Sequence, residues 1–596
     1  MSNISVIMVS YHTGCALWLA IDAALEQPEC KELLLVNNGN PPGVTVRLRE
    51  LAGKQPRLRI IEGQGNVGFA KGCNLGVKAS GGEYVLLLNP DSMLPEGGLA
   101  RAMEALKKYP ENTLAGCYLV NPDGSEQRGC RRSLLTPKNA IAESLGFGGE
   151  KLNLHKSEMP EKAHEVPAIS GAFMLLARSF YDRLGGLDEG YFLHMEDMDF
   201  CFRVHQAGGK VVCLPEIKVI HFRSTSEAAG RIVEKHKARG FIRYLKTHFS
   251  KEYSALLLNI LTFGIWMRYW LKLVFDKLDR VFVPPLAPKR ELARIVLLYR
   301  FARFGPRDPA LMGKAIVVAS GSGQVGLCAV GRALASGAQV IATYNRTKIP
   351  FSHPNLQWVQ RDLLKPDPLE YKADLLIYTL SLWTLPPLLP GIFAAGTTRI
   401  VAYSSTSRFS KADSKSTHDR EIVTKLAQAE EQVQKWVSEN GGSLTILRPT
   451  MIYGVGLDTS ITRLADVARR FGFLALHGAA TGLRQPVQAQ DLAQAALDAS
   501  YNPATFNKAY NVGGGEQLPY ITMVKRLFDY MGKPVRIFRP PMMPTLLDWL
   551  GKIYQIDYIN GAMARRMNQD LVFDIQEAQN DFGYWPKGFL EGDVVI

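Results

Sequence analysis

Cysteine is scarce in this chain and never closely paired. Eight residues are scattered over 596 positions without a CxxC among them, which argues against a disulfide framework and a zinc site and suits a reducing cytoplasm. Long uncharged apolar runs are missing too. The longest apolar stretch, SALLLNILTFGIWMRYWLKLVF from Ser254 to Phe275, carries Arg268 and Lys272 within its last two turns. The opening MSNISVIMVSYHTG has no basic lead before an apolar run, so it reads as a strand entering a polar loop and not as a secretory signal. Internal repeats and low-complexity tracts are likewise absent. No recognisable nucleic-acid module accompanies the net charge of +14. The location of that charge is informative: from Arg231 to Lys314 stand eighteen Lys/Arg and six Asp/Glu, nearly the whole imbalance. A basic segment beside an apolar one suits an anionic membrane surface better than nucleic acid.

What is present is alternation. ISVIMVSY, ELLLVNN, RLRIIE and EYVLLLNPD are short apolar runs ending in polar residues and separated by helix-length segments, the pattern of an α/β domain with a largely parallel sheet. A chain of this length exceeds one hydrophobic core. We expect a first domain over 1–250, a basic helical linker over 251–312 and a second domain over 313–596. The Ser254–Phe275 segment can be read as a helix lying in a membrane interface, a helix buried between domains, or a membrane span. Arg268, Lys272, Asp276 and Arg280 form a polar stripe, and Trp266, Tyr269 and Trp270 suit headgroup depth, so the in-plane reading is preferred.

Four ordered stretches in the first domain carry chemistry: SVIMVSYHTG, NVGFAKGCNLG (Asn66–Gly76), LLLNPDS (Leu86–Ser92), and the long run from Ile169 to Gly209 containing HMEDMDF. Asp91 ends an apolar strand, where a carboxylate can reach a crevice and hold a hard cation; a strand-end turn is the plainer alternative. HMEDMDF places Glu196, Asp197 and Asp199 just before an amphipathic helix. One of them can take a proton from an attacking hydroxyl, although acids also favour a helix N-terminus for dipole reasons. Together the four stretches resemble family 2 glycosyltransferases of the GT-A fold, especially the bacterial rhamnosyltransferase-like branch, over the whole first domain. The resemblance implies that Asp91, with Asn89 leading in NPD, stands at the DxD-type metal position for Mg²⁺ or Mn²⁺. It implies His221 as a further metal or phosphate contact, unless that residue is an ordinary satisfied histidine. Asp197 would be the base of an inverting transfer, with Glu196 beside it and Asp199 near the nucleotide sugar. Asn66, Gly68 and Gly72 would let the backbone approach the diphosphate. The family commonly has an aspartate where LVNNGN has Asn37, which keeps a hydrogen-bonding edge for the base but no charge.

The second domain opens on AIVVASGSGQVG, a strand running into Gly321-x-Gly323-x-x-Gly326 and then a helix, the start of a dinucleotide-binding unit. With RDLL, IVAYSSTS, LRPTMIYGVG and RQPVQAQDLAQAAL in order, the stretch from Gly313 onward resembles the extended short-chain dehydrogenase/reductase family of sugar-nucleotide epimerases and dehydratases, with a Rossmann-type fold implied. The second strand ends in ATYNRTK without an acid; Arg346 there suits a 2′-phosphate, favouring NADP over NAD. The resemblance puts Asp362 beside the adenine. It also implies a Ser followed by Tyr-x-x-x-Lys. Ser405 and Lys425 fill two of those positions, but Glu421 stands at the third, and no tyrosine occurs between Tyr403 and Tyr453.

The resulting expectation is a two-part enzyme of cell-surface polysaccharide or lipopolysaccharide synthesis. Its first domain would transfer a sugar from a nucleotide-sugar donor to a lipid-linked or lipopolysaccharide acceptor at the cytoplasmic face of a membrane. Its second would act on sugar nucleotides as a reductase or epimerase, or serve as a binding module without turnover.

Overall fold

The computed structural model describes residues 3–139, 153–154, 159–223, 225, 230–282, 287–346, 348–365, 371–412, 414, 417–541, 543–545, 561–592 and 594–596. Two compact units, Met1–Leu292 and Ala293–Ile596, divide the chain, so the segment expected as a linker falls partly in each.

The first unit is built on β1 (Ile4–Ser10), β2 (Cys30–Asn37), β3 (Leu58–Ile61), β4 (Tyr84–Leu88), β5 (Ser92–Met93), β6 (Thr113–Val120), β7 (Arg131–Arg132), β8 (His164–Glu165), β9 (Ala168–Ile169), β10 (Phe173–Ala177) and β11 (Lys210–His221). The main sheet runs β3-β2-β1-β4-β10-β6-β11-β5, with β8 on β11. Strands β1 to β4 pair in parallel, while β10 lies antiparallel to both β4 and β6. That mixed sheet is the GT-A-like architecture the motifs imply. Its central strands are apolar on both faces, as in Val6–Met8 and Leu33–Val36, all essentially inaccessible, because helices cover both sides.

Two short pairings position the chemistry. The turn Asn89–Asp91 sends the chain from β4 into β5, which pairs with the end of β11 so that Ser92 opposes His221. Separately, β7 pairs with β9, setting Arg132 opposite Ala168.

The second unit has a seven-stranded, wholly parallel sheet made from β12 (Ala315–Ala319), β13 (Gln339–Tyr344), β14 (Leu356–Gln360), β15 (Leu375–Tyr378), β16 (Arg399–Tyr403), β17 (Ser443–Pro449) and Lys508–Val512. The order is β14-β13-β12-β15-β16-β17 and then Lys508–Val512. Counting from β12, this is the doubly wound order 3-2-1-4-5-6 with one strand added. The order reverses beside β12, and the glycine loop follows that strand.

Candidate active site

The helix Glu196–Gln206 begins after two consecutive non-glycine residues in the left-handed region, His194 (φ 69°) and Met195 (φ 76°). Such backbone costs on the order of 1–3 kcal/mol per residue, and here it turns the three acids of EDMD in different directions. Asp197 Oδ2 accepts from Arg132 Nη2 at 2.6 Å and from the Gly171 N–H at 2.9 Å, while Oδ1 accepts from the Met198 N–H at 2.7 Å. Burial opposes its ionisation, but the Arg132 guanidinium and the two N–H groups outweigh that and hold the carboxyl below its ordinary range. Gly171 lies close against it: an added Cβ would sit 3.2 Å from Asp197 Cβ, so any side chain there would press on the carboxylate.

Glu196 goes the other way. Burial, and then the Asp197 charge, push its carboxyl up to about 8, and its Oε2 is buried without a hydrogen bond. Two adjacent carboxyls with opposite perturbations are the arrangement that separates acid from base roles. His194 is kept neutral by burial, its value lowered to about 4. Asp199 turns inward instead of toward a ligand. It is held by Arg203 Nε at 2.8 Å and His248 Nε2 at 2.7 Å, contacts that anchor the helix where a role at the nucleotide sugar was expected.

The metal candidates meet as the motifs imply. His221 Nε2 lies 3.1 Å from Asp91 Oδ1 and 3.3 Å from Asn89 Nδ2, and Thr225 donates to Asp91 Oδ2 at 2.9 Å. Burial disfavours the Asp91 charge, yet His221 and Thr225 bring its carboxyl below the ordinary range. Gln127, which sequence reading missed, orients the imidazole. Its Nε2 donates to the Asn121 side chain and the His221 carbonyl, which leaves Oε1 facing His221 Nδ1 at 2.6 Å. Nδ1 must then carry the proton that Gln127 accepts. Nε2 is left either protonated against Asp91 or presenting a lone pair toward the same point as the carboxylate, the orientation that outer partners impose on a ligating histidine. One carboxylate and one imidazole suit Mn²⁺ or Mg²⁺ only with further oxygens from a diphosphate; among the described residues no cluster of three or more His, Cys, Asp or Glu forms a complete site.

The two clusters share one turn. The Gly171 N–H binds Asp197, and the carbonyl of the next residue, Ala172, accepts from the Asn89 N–H at 3.0 Å. Arg132 completes the base environment; its only sequence signal was a paired Arg131–Arg132 at a strand-like position.

The glycines of NVGFAKG play a different part from the one expected. A Cβ on Gly68, whose φ is +87°, would meet the Phe192 carbonyl oxygen at 2.6 Å, and one on Gly72 would meet Val9 Cγ1 at 2.9 Å. Both are needed for close packing within the protein. Asn66 Oδ1 accepts from Asn38 Nδ2 at 3.0 Å and from the Gly68 N–H at 3.2 Å. Asn38, also missed, clasps this loop through Val67 N and Gly68 O. Asn37, expected at the base, is a staple of its own turn, bonded to Thr45 and Asn40.

In the second unit the loop after β12 leads into the helix Gln324–Ala335 with Gly323 at its cap. Gly321 and Gly326 are packing glycines: an added Cβ would lie 2.7 Å from Ala342 Cβ and 2.2 Å from the Ser320 carbonyl oxygen. Ser320 adopts φ 61°, Arg294 donates to the Ser322 carbonyl, and the helix N-terminus offers the amides a diphosphate needs. Arg346 is exposed at the end of β13, and Asn345 donates to Asp362 at 3.3 Å, joining the β13 and β14 ends. These residues fit a dinucleotide.

The expected redox group does not assemble. Glu421 and Lys425 are exposed, and among the described residues no hydrogen bond or ion pair joins them to each other or to Ser405, whose Oγ accepts from the Ser407 N–H at 3.1 Å. The reason is helical phase. The helix Thr417–Glu439 buries Leu426, Ala429, Glu430, Val433 and Val437, which turns Glu421 and Lys425 to the other side. Glu430 occupies the inner position. It accepts from Ser404 at 2.5 Å, from Arg448 Nη2 at 2.6 Å and from Arg408. Phe409 lies under both guanidinium groups and borders a cavity of about 490 Å³ that Ser414, Arg566, Asp570 and Phe573 also line.

Comparison with known proteins agrees with the geometry of the first unit. Residues 5–185 match the family model described as glycosyl transferase family 2. The N-acetylglucosaminyl-diphospho-decaprenol L-rhamnosyltransferase of Mycobacterium tuberculosis is 26% identical over 259 residues, covering 39% of this chain and 81% of that protein. The rhamnosyltransferase WbbL of Escherichia coli is 26% identical over 188 residues, covering 29% and 68%. Among solved structures, an epimerase of Methanothermobacter thermautotrophicus is 16% identical, covering 52% of this chain and 94% of that one with a TM-score of 0.38. Family match, mixed sheet and converging carboxylates thus make the first unit a glycosyl transferase family 2 domain, joined in one chain to a second unit with a Rossmann-type parallel sheet.

Proposed function

We propose that the first unit transfers a sugar, a deoxyhexose such as rhamnose, from a nucleotide-sugar donor to a lipid-linked or lipopolysaccharide saccharide acceptor, with inversion at the anomeric carbon. The observation that carries this reading is Asp197, held ionised at a strained helix start and tied through the Gly171–Ala172 turn to Asn89 and Asp91. Asp197 takes the proton of the acceptor hydroxyl as that oxygen attacks from the face opposite the leaving diphosphate. Arg132 fixes its direction. Glu196, protonated at neutral pH, donates a hydrogen bond to the sugar or acceptor. Asp91 and His221 would hold Mg²⁺ or Mn²⁺, which when bound offsets the charge that develops on the departing diphosphate. An acceptor carried by a lipid places the chain at the cytoplasmic face of a membrane.

For the second unit, the separation of Ser405, Glu421 and Lys425 favours a binding module for NADP, NAD or a sugar nucleotide over a tyrosine-type reductase or epimerase. Incubating the whole chain with dTDP-rhamnose, other nucleotide sugars and a diphospholipid-linked N-acetylglucosamine acceptor tests both parts. A glycosylated lipid with inverted anomeric configuration is expected. Donor hydrolysis or retention would overturn the transferase reading, and NADPH consumption with a keto-sugar nucleotide would overturn the module reading.

A further inference from the structure

The helix Gly230–Phe249 packs directly on the catalytic segment. A Cβ on Gly240 would stand 2.8 Å from the His194 carbonyl oxygen, His236 stacks on Phe192 at 4.3 Å between ring centres, and His248 holds Asp199. Away from that contact, the same helix and its neighbour Ala255–Phe282 border a cavity of about 540 Å³ lined by Arg239, Arg243, Lys246, Thr262 and Trp266. Arg243 is fixed by a two-pronged contact with Asp188, whereas Arg239 and Lys246 are exposed.

The second helix is unusual on its outer side. Leu256, Ile260, Phe263, Met267, Trp270 and Leu271 are each more than half exposed. At about 100° per residue they fall in one arc roughly 100° wide, opposite the buried Leu258 and Tyr269. An exposed apolar face of this extent marks an interaction surface. Pairing with a second copy of the helix is disfavoured. The positions flanking a two-stranded seam would be Leu257, Gly264 and Leu271 on one side and Asn259, Trp266 and Leu273 on the other, with no charge to set register or partner. Cations lie further out on both flanks, Arg268 on one and the groove's Arg239 and Lys246 on the other. No helix among the described residues is long and apolar enough to cross a membrane.

We propose that this face docks on an anionic bilayer, with the apolar stripe among the acyl chains at headgroup depth and the basic groove holding a lipid phosphate. An in-plane helix with an apolar face and basic flanks has that physics. The surface rests on the transferase reading for its purpose, since the helix that bears the groove also braces the catalytic segment and would bring a lipid-borne acceptor to it.

The test is co-sedimentation of the full chain with phosphatidylcholine vesicles, with and without phosphatidylglycerol. Partition into the anionic vesicles should exceed that into the neutral ones and fall as salt rises. Phe263→Ser with Trp270→Ser should cut partition at least tenfold. Arg239→Gln with Lys246→Gln should cut it on the order of twenty- to thirty-fold, from roughly fivefold per basic residue near an anionic surface. All four side chains are exposed or half-buried surface groups, so circular dichroism and thermal midpoints should stay at the wild-type values. Equal partition of wild type and both double variants, or equal binding to neutral and anionic vesicles, overturns the proposal. So does unchanged vesicle binding with loss of a dimer in sedimentation velocity on the apolar double variant, which would assign the stripe to a second copy. The vesicle measurement needs no sugar transfer; a chain that binds vesicles but transfers nothing refutes the function and leaves this surface standing.

Discussion

Each unit gathers charged side chains beyond the carboxyl ends of its central strands, and the two gather them to opposite effect. In the first, Asp197 and Asp91 are held on either side of the Gly171–Ala172 turn, and Glu196 beside them keeps an oxygen without a partner. In the second, Glu430 is enclosed by Ser404, Arg408 and Arg448, so that its charge is satisfied internally. Unsatisfied or strongly perturbed groups mark sites that act on something else; closed networks mark structure. The contrast sets the perturbed carboxyls, to which proton transfer is proposed, against a network that satisfies its own charges and holds the second unit's fold.

The largest effect expected is on the closed network. Glu430→Ala leaves two guanidinium groups without their carboxylate beside an apolar core, and removing one partner of such a buried pair costs about 3–5 kcal/mol. Chemical denaturation of the whole chain should show an early transition for the second unit while the first is unchanged. A loss under 1 kcal/mol would mean Glu430 is not structural, and the comparison would break.

Asp197→Asn tests the other side. It keeps the shape but turns one accepting oxygen into an NH2, which forfeits at least the Met198 N–H bond, and it removes the proton acceptor, so transfer should fall by at least ~10²-fold. Near wild-type transfer, measured on the lipid acceptor, would pass the role to another group. Arg132→Gln sharpens the point. Without the guanidinium, the Asp197 carboxyl rises toward its ordinary range, and the acid limb of the pH–rate profile should move to higher pH.

The opposed perturbation of Glu196 has its own signature. A carboxyl whose folded value lies above its ordinary one binds its proton more tightly in the folded state. Its contribution is therefore fully present below about pH 4 and is lost as pH rises through about 8. Glu196→Gln should flatten the fall of the first unit's thermal midpoint between pH 6 and pH 9 by several degrees, since about two pH units of one-proton linkage lie between pH 6 and the folded value of about 8. An unchanged slope would mean that Glu196 is ionised in the folded protein.

Much of this was legible beforehand, and the reason lies in which facts are local. Apolar runs ending in polar residues gave the strands of both sheets. Asp91 after a strand end and Asp197 in the first turn of a helix were legible from NPD and EDMD, because strand ends and helix starts are set by near neighbours. Arg132 and Gln127 were not legible, since each reaches the site through non-local pairing: β7 with β9 for Arg132, and β6 with β11 for Gln127, which sits beside the end of β6 and so beside His221. For the NVGFAKG glycines the packing need was hidden, because a glycine needed for Phe192 or Val9 is indistinguishable in sequence from one needed for a phosphate. At Glu421 and Lys425 the spacing was read and the phase was not. Leu426, Ala429, Val433 and Val437 already marked the inner face, and Glu430 stood on it together with Asp419.

The smallest effect expected is the most discriminating. If the second unit is a binding module, Glu421→Ala with Lys425→Ala changes only solvent-facing groups on the outer side of a helix, where substitutions usually stay within ±0.5 kcal/mol. Stability, NADPH or NADH affinity in a direct titration, and the yield of transferred sugar should all match wild type. Placing the tyrosine that a reductase of the resembled family would have, Glu421→Tyr, should be equally silent, because a phenol at that phase points away from Ser405 and the cleft. New turnover of a keto-sugar nucleotide by Glu421→Tyr would show that the helix can present this face inward. A tenfold loss of dinucleotide affinity in the double alanine variant would show that these residues reach the ligand. Either result would make the second unit a site of the same kind as the first, and the division of labour drawn from their charge networks would fail.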